Sequence, residues 1–390
     1  MTVHQKNLIA LIRSALTSDR PLLTEPDFSV LAALAQIHGV SAMLYPAYKK
    51  LPEPPPTAYM KLAKENCYGA ASRYQLQSRE LYQLLQAFRQ EQLFVLPLKG
   101  VVLREVYPSP ELRMMSDCDL LISPETAPKV KKLMEQQGYT AFRYDLDDTD
   151  FYISPLRQNF ELHKDIRKEG IHRATSEFLR KISSYAKPDD QFVYRLPDEV
   201  HYVYVVAHFA KHFIDGTVGL RPVIDLWLCR KYWTMDRERL ERLLEEAGML
   251  TFCRCAEALA DYWFEDQVPD DKTLSMAEYV LTGSFLGNED RWMRTKLLLD
   301  SQKKTKSGYY FSRLFPSYQS MCSYFPVLKK CPVLLPFYWI LRFFRGAFKG
   351  RERLKKEVQI LSEYDSDEIS RELLFYQAFG LNLTEKAKKS

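Results

Sequence analysis

The sequence predicts an α+β fold, in which a small mixed sheet is flanked by an N-terminal helical layer and a C-terminal helical region. Apolar residues recur at helical spacing up to about residue 92, and they do so again from about residue 197. Between these regions, five short apolar or alternating runs are separated by polar turns, which is typical of strands. The predicted regions are 1–92 (N-terminal helices), 93–195 (α/β core), 196–300 (C-terminal helical domain) and 301–390 (helical, basic and aromatic tail).

The N-terminal layer begins with amphipathic helices in residues 5–48, where Leu8, Ile9, Ile12 and Leu16 share one face. Four prolines in residues 51–59 then interrupt helical structure, because proline fixes φ and lacks a backbone donor. A long helix is predicted from about residue 59 to residue 92. Its predicted buried side consists of Leu76, Leu81, Leu84, Leu85 and Phe88.

The core alternates between strands and helices. Short apolar runs predict strands at 94–98 and 116–123, with a short helix between them. Pro124 suits the first turn of a second helix, which Gly138 ends as a C-cap. Three further strands are predicted at 139–144, 150–154 and 158–166, and four helices are predicted at 198–213, 221–233, 236–248 and 252–264.

Composition limits the function classes. The 390 residues carry a net charge of +5 and are 46% hydrophobic and 27% charged, so the chain as a whole is not a basic nucleic-acid-binding protein. The seven cysteines never occur as C-x-x-C and support neither a zinc site nor a disulfide framework. The charged N-terminus lacks a signal-peptide core, and no apolar run reaches the roughly 18 residues of a membrane span. We therefore expect a cytoplasmic protein without a transmembrane segment.

An Asp-x-Asp pattern opens the strand at 116–123. Side chains two residues apart face the same side of a strand, so Asp117 and Asp119 project together, while Leu120 and Ile122 anchor the other face. The two aspartates are separated by roughly 7 Å of strand rise. Carboxylates at this spacing can hold a pair of hard cations, and at the edge of an apolar strand they need compensating positive charge.

A third carboxylate comes from the strand at 158–166. Phe160 and Leu162 face one way, whereas Glu161 and His163 face the other. If this strand lies beside the Asp-x-Asp strand, Glu161 can complete a metal cluster or accept a proton from an attacking hydroxyl.

The segments LKGVVLREVY, LRMMSDCDLLI and FELHKD, together with a downstream L-R-x-x-x-D-L pattern that includes Arg221 and Asp225, resemble an uncharacterised bacterial nucleotidyltransferase family. That family lies within the DNA polymerase beta superfamily, and the resemblance covers roughly residues 80–230. It implies an enzyme that transfers a nucleoside monophosphate from an NTP to an acceptor and releases pyrophosphate.

The resemblance also implies roles for individual residues. Asp117 and Asp119 would hold two Mg²⁺ ions, with Mn²⁺ as the alternative, and Glu161 would be the third carboxylate of the catalytic and metal-binding set. The nucleotide-binding set would comprise Lys99, Gly100, Arg113 and Ser116. Lys99 and Gly100 stand where most of the superfamily has Gly-Gly or Gly-Ser.

Each of these residues also has a plainer interpretation. A lone Asp-x-Asp is often a solvated turn, Lys99 can be an ordinary exposed lysine, and Arg113 can form a salt bridge with Asp117. His163 fits a partner of Glu161 or a buried, hydrogen-bonded histidine better than a metal ligand.

The downstream helices carry further candidates. His201, His208 and His212 fall on one helical face, but the glutamate of a zinc-protease helix is missing, which argues against zinc. We assign His163, His208, Arg221 and Asp225 to a second layer of the site or to the acceptor site. Arg221 and Asp225, four residues apart, can instead pair with each other.

Residues 329–357 hold nine basic and two acidic residues interleaved with aromatic ones. The pattern fits a core helix followed by a solvated basic helix, or a surface that contacts an anionic membrane or an acidic partner. The functional prediction is a magnesium-dependent nucleotidyltransferase with ATP as the expected nucleotide and an unidentified acceptor. The alternative is a catalytically inactive nucleotide-binding scaffold or interaction protein.

Overall fold

The computed structural model describes residues 1–167, 171–190, 192–284, 315–349 and 366–383. The chain divides into two compact units, Met1–Gly287 and Asn288–Ser390. The predicted boundaries near residues 92 and 195 fall inside the first unit and remain predictions. All residues of the predicted site belong to the first unit.

The first four helices form the predicted N-terminal layer. The first helix starts at a capping box, in which the Thr2 side chain accepts from the Gln5 backbone and the Gln5 side chain from the Thr2 backbone. The predicted apolar face of this helix is buried, as expected. The helices are α1 (Val3–Leu16), α2 (Phe28–Ile37), α3 (Leu44–Tyr48) and α4 (Thr57–Gln90).

Helix α4 confirms the predicted long helix, but its buried side differs in part. Leu84 and Phe88 are buried as predicted, whereas the prediction for Leu76 was wrong, since 39% of this residue is exposed. Gln77 and Glu80 are buried instead, because each has specific hydrogen-bond partners. Gln77 accepts from the Arg104 guanidinium at 2.6 Å and donates to the Met115 carbonyl at 3.1 Å. Helix α4 therefore anchors the loop that precedes the Asp-x-Asp strand.

Among the described residues, seven strands form one mixed sheet in the order β3-β4-β5-β2-β1-β7-β6. The pairs β2–β5 and β1–β7 are parallel, and the other neighbours are antiparallel. The sheet and its flanking helices confirm the predicted α+β class. The strands are β1 (Val95–Pro97), β2 (Asp117–Ile122), β3 (Thr140–Arg143), β4 (Thr149–Ile153), β5 (Asn159–His163), β6 (Lys187–Asp190) and β7 (Val193–Arg195).

Two short helices connect the first strands, as predicted: α5 (Gly100–Leu103) and α6 (Ala127–Gln136). One face of the sheet packs against α4 and α6 in a continuous apolar cluster that includes Phe88, Leu120 and Phe160. Burial of this face fixes the register of β2 and β5, because a shift by one residue would turn their carboxylates into the apolar core.

The remaining helices of the first unit pack as a C-terminal helical region. Four of them confirm the helices predicted between residues 198 and 264. The others, like β6 and β7, were not predicted. The helices are α7 (Arg173–Arg180), α8 (Asp198–Ile214), α9 (Arg221–Tyr232), α10 (Arg237–Glu246), α11 (Leu250–Phe264) and α12 (Asp271–Leu281). None of the helices in the described part of the chain has both the length and the apolar character needed to cross a membrane.

The described part of the second unit contains α13 (Tyr318–Tyr324), α14 (Leu335–Lys349) and α15 (Ser366–Ala378). In α14, Tyr338 and Trp339 pack against a small apolar cluster, whereas 60% of Phe337 is exposed. This helix forms the middle part of the predicted basic and aromatic stretch. Residues 350–357 of that stretch and the lysine-rich end lie outside the described residues, and contact with a membrane or an acidic partner stays a prediction.

Candidate active site

The register of β2 against β5 brings the predicted acidic side chains to one face of the sheet. The parallel pairing places Asp119 beside Glu161, and Asp117 beside Asn159. Leu120 and Leu162, which alternate with these residues, are fully buried on the opposite face. The predicted adjacency of the Asp-x-Asp strand and the Glu161 strand is therefore present in the structure.

Asp119 lies at the centre of the site. Its Oδ1 accepts from Lys99 Nζ at 2.9 Å and lies 2.8 Å from His163 Nε2. Burial opposes ionisation of this carboxyl, but the Lys99 ammonium and the His163 hydrogen bond outweigh burial and hold the pKa of Asp119 well below its usual range. Asp119 is therefore a stable, ionised carboxylate in this arrangement.

The neighbouring carboxylates are less well compensated. Burial, and then the charges of Asp119 and Asp117, raise the pKa of Glu161 to about 7. Burial and Asp119 likewise raise the pKa of Asp117. Since like charges in a low-dielectric site resist ionisation together, both groups favour an added positive charge.

A three-donor group in the site fits a divalent cation. One ligand atom from each of Asp119, Glu161 and His163 lies within 4.8 Å of the others. The donors are two carboxylate oxygens and one imidazole nitrogen, and they lie on the two neighbouring strands. Asp117 lies outside this group of three but lines the same cavity. Its predicted place as a metal ligand stays a prediction.

Lys99 occupies an unusual backbone conformation between β1 and α5. Its φ of 45° and ψ of −121° lie in the region that glycine takes at the second position of a type II′ turn. The turn is closed by the Val101 N–H, which donates to the Leu98 carbonyl at 3.2 Å. Residues other than glycine are rare in this conformation. Here it places the Lys99 ammonium 2.9 Å from Asp119 Oδ1.

Gly100 follows directly and is required by close contact. A Cβ at this position would lie 2.4 Å from Met115 Sδ and 2.6 Å from Arg113 Nη1. The glycine therefore lets the loop before β2 pack against the start of α5 at the lining of the cavity.

Arg113 is part of a buried ion pair with helix α9. Its Nε and Nη2 donate to the two carboxylate oxygens of Asp225, each at 2.8 Å, and the Tyr107 hydroxyl also donates to Asp225 at 2.8 Å. This geometry replaces the predicted alternative of an Arg113–Asp117 salt bridge. Arg221 Nη1 donates to the Met114 carbonyl at 2.6 Å. The predicted pairing of Arg221 with Asp225 stays a prediction. The predicted phosphate contact of Arg113 remains a prediction.

These side chains surround one cavity of about 470 Å³. Its sheet side carries the carboxylates, and its helical side is formed by the end of α8 and the start of α9. His208 Nε2 lies 3.0 Å from His212 Nε2, and His212 Nδ1 lies 2.6 Å from Thr217 Oγ1. The lining includes every predicted site residue: Lys99, Gly100, Arg113, Ser116, Asp117, Asp119, Glu161, His163, His208, Arg221 and Asp225.

The cavity also contains residues that the sequence did not single out. Thr149 on β4 and Lys211 on α8 line it, as do Asp147 and Asp148 in the turn before β4. Thr149 had no motif to mark it, whereas Lys211 lies between two noted histidines and could have been recognised from its place on the helix. His201, in contrast, is buried with its ring 5.3 Å from that of Trp233.

With this geometry established, comparison with known proteins assigns the family. The model of a family described as "Uncharacterised nucleotidyltransferase" matches residues 24–265. The chain belongs to this nucleotidyltransferase family. The match includes the whole sheet and helices α8 and α9, and hence the entire cavity. Searches of curated proteins and of solved structures found no match.

Membership in the nucleotidyltransferase family agrees with the chemistry of the cavity. Nucleotidyl transfer requires a site for a nucleoside triphosphate, negatively charged groups that can hold a divalent cation, and cations for the phosphates. Within the matched residues, the cavity is lined by a group that could hold a divalent cation and by cationic side chains.

Proposed function

We propose that this chain transfers a nucleoside monophosphate from an NTP, with ATP as the expected nucleotide, to an acceptor hydroxyl or phosphate. The proposal takes its chemistry from the resemblance of the sequence motifs to the DNA polymerase beta superfamily, with Mg²⁺ held by Asp119 and Glu161 and with Asp117 as a further carboxylate. The observation that carries the proposal is the parallel register of β2 and β5, which places Asp119 beside Glu161 at the wall of a nucleotide-sized cavity.

The divalent cations would neutralise triphosphate charge and favour attack on the α-phosphorus by lining up the reacting oxygens. The carboxylates position these charges on a rigid sheet, because their strands are anchored by Leu120 and Leu162 in the core. If Glu161 instead leaves the cation to the other carboxylates, burial and the charges of Asp119 and Asp117, which raise its pKa to about 7, suit it to accept the proton of the attacking hydroxyl.

Four cationic side chains line the cavity, and three of them are suited to hold the triphosphate. Lys99 borders Asp119, and its flexible stem allows the ammonium to exchange a carboxylate oxygen for a phosphate oxygen. Burial and the charge of the neighbouring Arg113 lower the pKa of Arg221 to about 10, so Arg221 stays protonated near neutral pH. Lys211 lies on the same wall as His208. We assign Arg113 a positioning role, because two of its donors bind Asp225.

The acceptor would approach from the α8 side of the cavity. His208 and His212 lie there with their ring nitrogens 3.0 Å apart, opposite the carboxylate-bearing strands. Neutral imidazoles can donate to or accept from a hydroxyl, so this pair is suited to orient an acceptor. Asp225 contributes by fixing Arg113 between the two walls.

The scaffold alternative has one observation in its favour. Lys99 and His163 compensate the charge of Asp119 without a metal ion. Repulsion among the carboxylates therefore does not by itself demand a cation at Asp119, although Glu161 and Asp117 remain poorly compensated. A bound but unreacted nucleotide would identify such a scaffold.

The decisive experiment uses two labels. The purified chain is incubated with MgCl₂, a small-molecule extract as acceptor source, and either [α-³²P]ATP or [γ-³²P]ATP. Nucleotidyl transfer places the α label on the acceptor and the γ label in pyrophosphate. We expect Asp119→Asn to abolish both signals while the far-ultraviolet circular dichroism stays unchanged.

The matched control is Glu135→Gln, which removes a carboxylate on the exposed face of α6. It should keep full activity. Full turnover of Asp119→Asn with ordinary magnesium dependence would refute the carboxylate assignment. The scaffold would be supported instead if the chain bound ATP tightly but transferred no label to any acceptor fraction, either from ATP or from the other three NTPs.

A further inference from the structure

His163 is held from both sides by residues of neighbouring strands. Thr149 on β4 is the cross-strand partner of His163 on β5, and its Oγ1 lies 3.1 Å from His163 Nδ1. The other ring nitrogen, Nε2, lies 2.8 Å from Asp119 Oδ1 and 3.8 Å from Glu161 Oε2. The ring is almost completely buried, so its orientation is fixed and Nε2 points at the carboxylates.

We propose that His163 is a metal ligand of this site, oriented by Thr149, and that its nitrogen makes the site prefer Mn²⁺ to Mg²⁺. This inference rests on the proposed function only in placing a divalent cation at Asp119 and Glu161. It goes beyond that function by assigning a third ligand and a metal preference.

The donor set supports this preference. Two carboxylates and an imidazole can supply ligand atoms within 4.8 Å of one another. Mg²⁺ favours oxygen ligands and retains its water, whereas imidazole nitrogen binds Mn²⁺ and later transition ions more readily. A site made of carboxylates alone would lack this source of discrimination.

Thr149 allows the required change of tautomer. With Asp119 as its partner, His163 carries its proton on Nε2 and Nδ1 accepts from the Thr149 hydroxyl. As a ligand, His163 carries the proton on Nδ1 and donates it to Thr149 Oγ1, which leaves the Nε2 lone pair for the cation. A hydroxyl serves both states because it can donate and accept.

The Thr149 contact matches the hydrogen bond that metal-binding histidines make through their second nitrogen. A buried Nδ1 needs a partner in a purely structural role as well, so metal binding itself has to separate the two roles. Thr149 is thus a positioning residue, and His163 is the proposed ligand.

The test measures metal binding to the full chain without nucleotide or acceptor. Free Mn²⁺ is followed by electron paramagnetic resonance during titration, and Mg²⁺ affinity is obtained by competition. We expect Mn²⁺ to bind at least tenfold more tightly than Mg²⁺. His163→Gln should remove this preference, and Thr149→Val, which keeps the side-chain shape, should weaken Mn²⁺ binding roughly 10- to 100-fold.

A spectroscopic readout identifies the ligand directly. Pulsed electron paramagnetic resonance of bound Mn²⁺ should show coupling to an imidazole nitrogen in the parent chain and none in His163→Gln. The proposal would be overturned if bound Mn²⁺ showed no nitrogen coupling, or if the parent chain bound no Mn²⁺. It would also be overturned if His163→Gln lost Mn²⁺ and Mg²⁺ affinity equally.

The two proposals fail separately. Nitrogen coupling in a protein that transfers no nucleotide would leave the metal ligand standing and remove the proposed function. Transfer that depends on Asp119 but shows no nitrogen coupling would remove only the role of His163. Glu161→Gln serves as the control that should weaken both metals without abolishing the nitrogen signal of the bound fraction.

Discussion

Lys99 combines an unfavourable backbone conformation with a charge that the site uses, and two substitutions separate these properties. Lys99→Ala keeps a Cβ at a φ of 45°, whereas Lys99→Gly removes it. Both variants lose the same ammonium and the same 2.9 Å contact with Asp119. Because the loss of the ion pair cancels, the difference in stability between them reports the backbone strain less the about 0.4–1 kcal/mol by which glycine favours the unfolded chain.

The structure sets the expected sizes of both effects. A non-glycine residue in a sparsely populated backbone region costs about 1–3 kcal/mol, so Lys99→Gly should be more stable than Lys99→Ala by this amount less the glycine contribution. A charge-assisted hydrogen bond contributes about 1.5–3 kcal/mol, which corresponds to roughly a ten- to hundredfold change in affinity. Both variants should weaken NTP binding or turnover by that factor, and Lys99→Arg should recover only part of it.

The assay pairs thermal unfolding with calorimetric titration of ATP in the presence of MgCl₂. A higher melting temperature for Lys99→Gly than for Lys99→Ala, with equal nucleotide defects, would confirm the reasoning. Equal melting temperatures would show that the strain is no larger than the about 0.4–1 kcal/mol by which glycine favours the unfolded chain. Unchanged ATP affinity and turnover in both variants would show that Lys99 has no role with phosphate, and the phosphate site would then have to rely on Arg221 and Lys211.

Three further predictions concern stability. Gly100→Ala should lower the free energy of unfolding by about 1–3 kcal/mol, because its Cβ would overlap buried side chains; a melt indistinguishable from that of the parent chain would contradict the close contact. Asp225→Ala should cost about 3–5 kcal/mol in urea unfolding, since it leaves the charge of Arg113 buried without a partner, and simultaneous replacement of Arg113 by Met should recover part of this loss. Burial lowers the pKa of His38 to about 4 and that of His201 to about 3 from 6.5, so the unfolded chain takes up protons first as the pH falls. Stability should be fully present above about pH 6.5 and should decrease below it by up to about 1.4 kcal/mol per pH unit for each histidine, and His201→Gln should flatten this dependence.

The strands that carry the carboxylates could be predicted because their apolar residues alternate with polar ones. Leu120 and Ile122 mark the buried face of one strand, and Phe160 and Leu162 mark that of the other. The residues on the opposite face of each strand could therefore be predicted by alternation. Strand β6 (Lys187–Asp190) gave no such signal. Its sequence, KPDD, contains a proline and two aspartates, and it is a strand only because it pairs with β7 at the edge of the sheet.

Contacts between distant residues were the part of the site that the sequence could not supply. Spacing along one strand suggested that His163 would accompany Glu161, whereas its shortest hydrogen bond crosses to Asp119 on the neighbouring strand. Arg113 likewise suggested a local salt bridge with Asp117, but its partner is Asp225 on α9. Such pairings depend on strand order and helix packing, which periodicity within a single segment does not determine.

The ion pair between Arg113 and Asp225 also has a consequence for the order in which the site forms during synthesis. The two residues are 112 positions apart, so the ribosome completes every strand of the sheet well before α9 emerges. Until then, Arg113 lacks its Asp225 partner, and the helical side of the cavity has not formed. A nascent chain that ends near residue 195 can contain all three carboxylates and still lack a closed cavity. Catalytic competence is therefore expected to appear late, only after helices α8 and α9 have folded onto the sheet.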